Sequence, residues 1–96
     1  MLHLIFKSPV ELAVLQRICP DDEVVFLENS VLGLLRNGKL AHELAGLLTQ
    51  CQLYALAADL GARGIADDEL VSGITIIDYD GLVNVTINNP VIQSWT

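Results

Sequence analysis

Charge is scarce in this chain, and what there is leans one way. Of 96 residues only 18% are charged, five basic against twelve acidic, for a formal net charge of −7. So few Lys and Arg, spread singly, argue against direct, unspecific binding to nucleic acid, which displaces counterions with clustered cations. The acids are scattered as well, at Asp21–Glu23, Asp67–Glu69, Asp78 and Asp80. They read as solvated loops and helix starts, not as a metal cage. No apolar run reaches the roughly 18 residues that a membrane span needs. Met1–Phe6 is apolar but short, with neither a basic leader nor a small-residue cleavage site, so no signal peptide is expected and the expected location is cytoplasmic. Cysteine is sparse too. Cys19 and Cys51 lie 32 positions apart without a CxxC pair, which suggests neither a zinc site nor a thioredoxin-type motif. In a reducing compartment both are expected as thiols. Gly61, Gly64 and Gly73 form no phosphate loop, because neither GxGxxG nor GxxxxGK is present. No metal and no cofactor are therefore expected.

What the chain has in quantity is apolar residues, 52% of the total. Its length fits one domain over 1–96, and a domain of this size buries only about two-thirds of the surface its unfolded chain exposes. The excess implies a face turned to a partner subunit. The plainer alternative is a monomer with a greasy surface.

Short apolar runs alternate with helical patterns. Leu2–Phe6 has strand length. Ser8-Pro9-Val10-Glu11 reads as a helix start, with Ser8 as N-cap, Pro9 at the first helical position and Glu11 closing a capping box. Leu12, Leu15 and Ile18 follow at helical spacing, and Pro20 stops them. Val24–Leu27 is a continuous run suited to a strand covered on both faces. Asn29 or Ser30 caps a helix over Val31–Leu35, Asn37-Gly38 breaks it, and Leu40–Leu48 forms another. Leu53–Leu56 is a third strand. Ala57–Ala62 is a short helix ended by Arg63-Gly64, with Gly64 past its end, and Ile74–Ile77 is a fourth strand. The tail is two-sided. Val83, Val85 and Ile87 alternate as in a strand, whereas Tyr79, Leu82, Val83, Thr86 and Ile87 share one helical face; propensity alone favours the strand. Asn88-Asn89-Pro90 ends either. The alternation implies an α/β fold with a mostly parallel sheet and helices on both faces, whose sites form at the carboxyl ends of strands.

Few residues there carry chemistry. Cys19 is the nucleophile candidate, but a helix end followed by Asp21-Asp22 is a poor setting for a reactive sulfur. Cys51 reads as a packing residue. His3, inside the first strand, reads as a satisfied structural histidine, and His42 lies on a polar helix side. Asp78 reads as an N-cap rather than a general base. Lys7 and Arg63, near strand ends, could hold an anion, though such residues are more often simply solvated. No Cys–His pair with an orienting third group emerges.

Three segments together resemble the TusB/DsrH family across essentially the whole chain. They are Met1-Leu2-His3 with Lys7-Ser8-Pro9, then Leu53-Tyr54-Ala55-Leu56 with Asp59-Leu60 and Ala62-Arg63-Gly64, then Asp78-Tyr79 with Leu82-Val83 and Trp95. The resemblance implies a DsrEFH-like α/β fold with a sheet of about five strands and a helix from Tyr79, against propensity. It further implies a subunit of a hetero-oligomer with TusC/DsrF-like and TusD/DsrE-like subunits. Such complexes pass persulfide sulfur to an acceptor protein, toward tRNA wobble-uridine thiolation in one branch and within dissimilatory sulfur oxidation in the other. The main sulfur-carrying cysteine belongs to the TusD/DsrE-like subunit, so a structural or regulatory role is implied here. The chain departs from the family in having Asn29-Ser30 where an Asp-Gly-like pair is usual. Cys19 lies close to the place where DsrH-type members carry a cysteine. Two alternatives stay open: a DsrH-like subunit in which Cys19 takes part in sulfur transfer, and a stand-alone homo-oligomeric module binding anions at Lys7 or Arg63.

Overall fold

The computed structural model describes residues 1–96. Five strands, β1 (Leu2–Ile5), β2 (Glu23–Phe26), β3 (Gln52–Leu56), β4 (Thr75–Ile77) and β5 (Ile92–Trp95), form one sheet in the order β4-β3-β2-β1-β5. Every pairing is parallel. Four α-helices connect them, α1 (Leu12–Leu15), α2 (Ala41–Leu47), α3 (Ala57–Ala62) and α4 (Tyr79–Ile87), with 3-10 helices at Glu28–Leu34 and Asp67–Glu69. No helix is long and apolar enough to cross a membrane.

Strand direction decides which face each helix covers. The chain steps from β1 to β2, β3 and β4 in one direction, then returns across the whole sheet to β5. Right-handed crossovers place outgoing and returning connections on opposite faces. The packing agrees. Ile5, Val24, Phe26, Leu53 and Ala55 pack with Leu15, Val31, Leu34, Leu44 and Leu60 in a core of 14 buried residues. On the other face Leu2, Val25, Leu27 and Leu56 meet Val85 of α4 in a core of 5, with Leu82 of the same helix packed against it. One face is thus roofed by several elements, the other by a single helix. Phe26, Leu34, Leu44 and Leu53 are fully buried, and each such side chain contributes about 1.5–3 kcal/mol of hydrophobic stabilisation.

Helix α4 settles the ambiguity of the tail in favour of the resemblance and against strand propensity. Asp78 caps it as expected, its Oδ1 accepting the Gly81 N–H at 2.8 Å. Leu82 and Val85 face the sheet, and Gly81 lets the first turn settle on Ile77, since a Cβ there would lie 2.9 Å from the Ile77 Cβ. Gly64, at φ 65°, follows α3 in the left-handed conformation expected of it.

Three local expectations are corrected. The first helix begins at Leu12, not Pro9, with Glu11 at the N-cap position and no side-chain cap. Instead of bonding back to Ser8, the Glu11 carboxylate pairs with Lys7 Nζ at 2.6 Å. The segment after β2 is a 3-10 helix over Glu28–Leu34 rather than an α-helix over 31–35. Ser30 lies inside it, with its hydroxyl bound to backbone groups of Leu27 and Ile5. Such local side-chain-to-backbone bonds compete with α-helical geometry. The fifth strand that the resemblance implied is present as β5, for which the residue pattern itself gives no signal.

Candidate functional site

The carboxyl ends of the strands, where open α/β sheets hold ligands, are occupied by internal braces. The Asp59 carboxylate, at the start of α3, accepts the Glu28 N–H at 2.7 Å. Glu28, at φ 54°, turns the chain out of β2. Arg63 donates from Nε to Asn29 Oδ1 at 2.9 Å and from Nη1 to the Asp59 carbonyl at 2.9 Å, with the Asp59 carboxylate 3.6 Å away. Asp59 and Arg63 sit at i and i+4, so one turn of helix supplies both halves of the brace. Lys7 is matched to Glu11. An anion at Lys7 or Arg63 would have to compete with a carboxylate already in place.

Cys19 and Cys51 lie at the opposite, amino end of the sheet. Cys19 is exposed in the loop between α1 and β2, and its Sγ meets only the Arg17 carbonyl, at 3.9 Å. Cys51 is buried just before β3, its thiol donating to the Cys19 carbonyl at 3.2 Å. Burial first, and the nearby Asp22 carboxylate second, push the Cys51 thiol up. That suits the packing role expected of it, because a thiol held protonated is a weak nucleophile.

His3 is the only histidine near Cys19, and both its nitrogens are engaged. It is 2% exposed, more deeply buried than its strand position suggests. Trp95 Nε1 donates to Nδ1 at 3.2 Å, which places the ring proton of neutral His3 on Nε2. Nε2 then donates to Asp22 Oδ2 at 2.9 Å. The indole stacks on the imidazole at 6.3 Å between centroids, and the Arg17 guanidinium lies 5.8 Å from the Trp95 ring centre. A histidine held so on both sides has no lone pair to take a proton from Cys19, so no thiol–imidazole pair forms.

Asp22 is the centre of this cluster. Besides His3 it accepts the Cys19 N–H at 2.9 Å and the terminal ammonium of Met1 at 3.3 Å. Partial burial pushes its carboxyl up, but the Cys19 N–H, His3 and the ammonium together outweigh burial and hold it below the ordinary value. A third brace lies on the α4 face. The Tyr54 hydroxyl donates to Glu23 Oε2 at 2.7 Å, and Asn89 Nδ2 donates to Glu23 Oε1 at 2.9 Å. Burial, then the bond to Glu23 and its charge, push the Tyr54 hydroxyl up to about 12. His42 is exposed on α2, and Asp78 is the cap of α4. No group of three or more His, Cys, Asp or Glu side chains converges as metal ligands would.

Sequence reasoning found His3 and Cys51 but missed Asp22, Glu23 and Asn89. Their partners lie 19 to 66 positions away, and no local pattern announces them. The Asp59–Arg63 pair could have been read from its i,i+4 spacing.

The comparisons agree with this architecture. A family model described as DsrH like protein matches residues 7–91. The chain belongs to that family. Protein TusB of Buchnera aphidicola subsp. Baizongia pistaciae is 31% identical over 98 residues, covering 99% of this chain and all of that protein. Protein TusB of Pectobacterium parmentieri is 30% identical with the same coverage. Two solved structures share the DsrH-like chain's fold. MTH1491, a protein of unknown function from Methanobacterium thermoautotrophicum, superposes with a TM-score of 0.78 at 16% identity, over 98% of this chain and 96% of that one. The ychN protein of E. coli gives a TM-score of 0.78 at 17% identity, over 98% and 97%.

Proposed function

We propose that this chain is a non-catalytic subunit of a heteromeric sulfur-relay complex in the cytoplasm, built with TusC/DsrF-like and TusD/DsrE-like subunits. The complex passes persulfide sulfur to an acceptor protein, toward 2-thiolation of the tRNA wobble uridine, and this subunit makes no direct contact with nucleic acid. Membership of the DsrH-like family and whole-length likeness to TusB proteins support the family half of this reading. The observation that carries the non-catalytic half is His3, whose two nitrogens are spent on Trp95 and Asp22, leaving Cys19 without a base. The test is co-expression with both partner subunits of the same genome, followed by sizing chromatography. Co-elution in one complex is expected. Elution of this chain as a separate homo-oligomer would defeat the reading in favour of a stand-alone module.

One observation favours a second reading. Cys19 is exposed while Cys51 is buried, so a DsrH-like role in sulfur oxidation would place transferred sulfur on Cys19. Sulfur transfer by a complex carrying Cys19→Ser separates the two. Full transfer retains the non-catalytic role, and abolished transfer assigns the sulfur to Cys19.

A further inference from the structure

The helix that alone roofs one face of the sheet also carries three large apolar side chains in solvent. Tyr79, Val83 and Ile87 are 61%, 52% and 73% exposed. At i, i+4 and i+8 they form one straight row along the outer side of α4. Beyond Asn89-Pro90, Ile92 is 45% exposed on the same sheet face, paired with Leu2 of the smaller core. The Leu2 N–H bonds the Val91 carbonyl at 3.0 Å, and exposed Met1 and Val91 fall on the side of the β1–β5 pair that Ile5 and Trp95 turn to the larger core. The other exposed large apolar residues, Leu12 and Leu32, stand on connections that cover the opposite face. A continuous apolar row of this kind on a small domain marks a contact surface.

Charge selects the occupant. From Gly64 to Thr96 there is no Lys, Arg or His, and the acids at the start of α4 are Asp78 and Asp80; Asp67–Glu69 lie on the connection that packs against the other face. Asp78 is spent on capping α4, and Asp80 stands exposed in its first turn beside Tyr79. A second copy meeting this row about a two-fold axis would present the same uncharged side chains and the same acids, on a chain that already carries −7. We infer that the α4 row docks a different subunit, one offering an apolar helix or sheet face with Lys or Arg placed to meet Asp80. The contact adds a second roof to the under-covered face of the sheet, and the cation–carboxylate pair at its rim rejects a second copy of this chain. This rests on the subunit reading above, and names the surface that reading needs.

The test uses the complex reconstituted from this chain and the TusC/DsrF-like and TusD/DsrE-like subunits of the same genome. Val83→Glu with Ile87→Glu puts charge into the row at exposed positions, and Asp80→Lys reverses the rim charge. Leu12→Glu is the control on the opposite face. Folding of each variant is checked by circular dichroism and its urea midpoint. The expected result is loss of this chain from the complex, by about tenfold or more in Kd, for the double variant. Asp80→Lys should weaken binding by a smaller, salt-dependent factor, and Leu12→Glu should leave it unchanged. Undiminished co-elution of both the double variant and Asp80→Lys, with wild type in the complex, overturns the docking surface and leaves the subunit reading standing. A wild-type chain that joins neither partner overturns both. A wild-type homodimer that the double variant splits overturns the choice of occupant.

Discussion

Removing the charge of Asp22 should cost stability at neutral pH and cost little in acid. Its Oδ2 accepts from the Cys19 N–H and from His3 Nε2, both at 2.9 Å, and its Oδ1 faces the Met1 ammonium at 3.3 Å. Asp22→Asn can leave an amide oxygen in the Oδ2 position, which keeps two bonds but makes them neutral. A hydrogen bond to a charged group contributes about 1.5–3 kcal/mol against about 1 for a neutral one. Two such bonds therefore lose about 2 kcal/mol together, and the solvent-facing ammonium adds at most about 1 more. The expected difference is about 2–3 kcal/mol by urea unfolding at neutral pH. Its pH dependence follows from the lowered carboxyl of Asp22. A group whose folded value is depressed contributes fully above its unfolded value, about 4, and loses that contribution as pH falls through the lower folded value. Wild type and Asp22→Asn should therefore converge below about pH 4, and taking their difference cancels the other carboxylates. A gap that stays constant into acid, or one under about 0.5 kcal/mol at neutral pH, the size of an ordinary surface change, would refute the reasoning.

Gly81→Ala should destabilise by about 1 kcal/mol, because its Cβ would meet the Ile77 Cβ at 2.9 Å and an overpacking cost of about 1–3 kcal/mol outweighs a propensity gain of about 1; a raised urea midpoint would contradict this. Tyr54, held at about 12, contributes stability that is complete below its unfolded value near 10 and is lost as pH rises toward the folded one. Tyr54→Phe should thus be less stable than wild type at neutral pH and flatten the alkaline arm of the stability profile, which urea melts across that range will check. Alkylation of the native chain should modify Cys19 and spare Cys51, with both reacting in denaturant; equal native rates would show that the burial of Cys51 does not hold.

Much of the fold was legible because its parallel strands are buried on both faces. Val24–Leu27 and Leu53–Leu56 are continuous apolar runs that fit no other element of that length. The Asp78 cap and Gly64 were legible for local reasons, a side-chain acceptor three residues before its donor and a position of positive φ. The 83–87 segment was not, since its valines and isoleucine satisfy both periods. What decides it is tertiary: β4 and β5 are parallel and lie at opposite edges, so the chain between them must cross the sheet, and Leu82 and Val85 bury against the strands only as a helix. β5 escaped because Ile92, Gln93 and Ser94 are exposed at an edge. Its hold comes from the ladder to β1 and the Trp95–His3 bond, neither of which a local pattern encodes. The candidate site was illegible for the same reason: His3 announces that it needs partners but not which ones.

The three polar clusters share a geometry that bears on function. His3, Trp95 and Asp22 tie the edge strand β5 to the loop before β2. Glu23, Tyr54 and Asn89 pin the end of α4 to the amino ends of β2 and β3. Asp59, Arg63 and Asn29 lock the exit of β2 to α3. Each joins segments far apart in sequence, and together they consume most of the residues that sequence reading could have assigned to chemistry. In a short chain with a core of only 5 residues under α4, packing alone would hold that helix loosely. The Asp78 cap fixes one end and the Asn89 brace the other, so the row Tyr79-Val83-Ile87 is presented on a rigid element. A surface held in place before contact loses less conformational entropy on association. Polar side chains committed to bracing, and apolar ones left outside on the element they brace, fit the docking role proposed for this face.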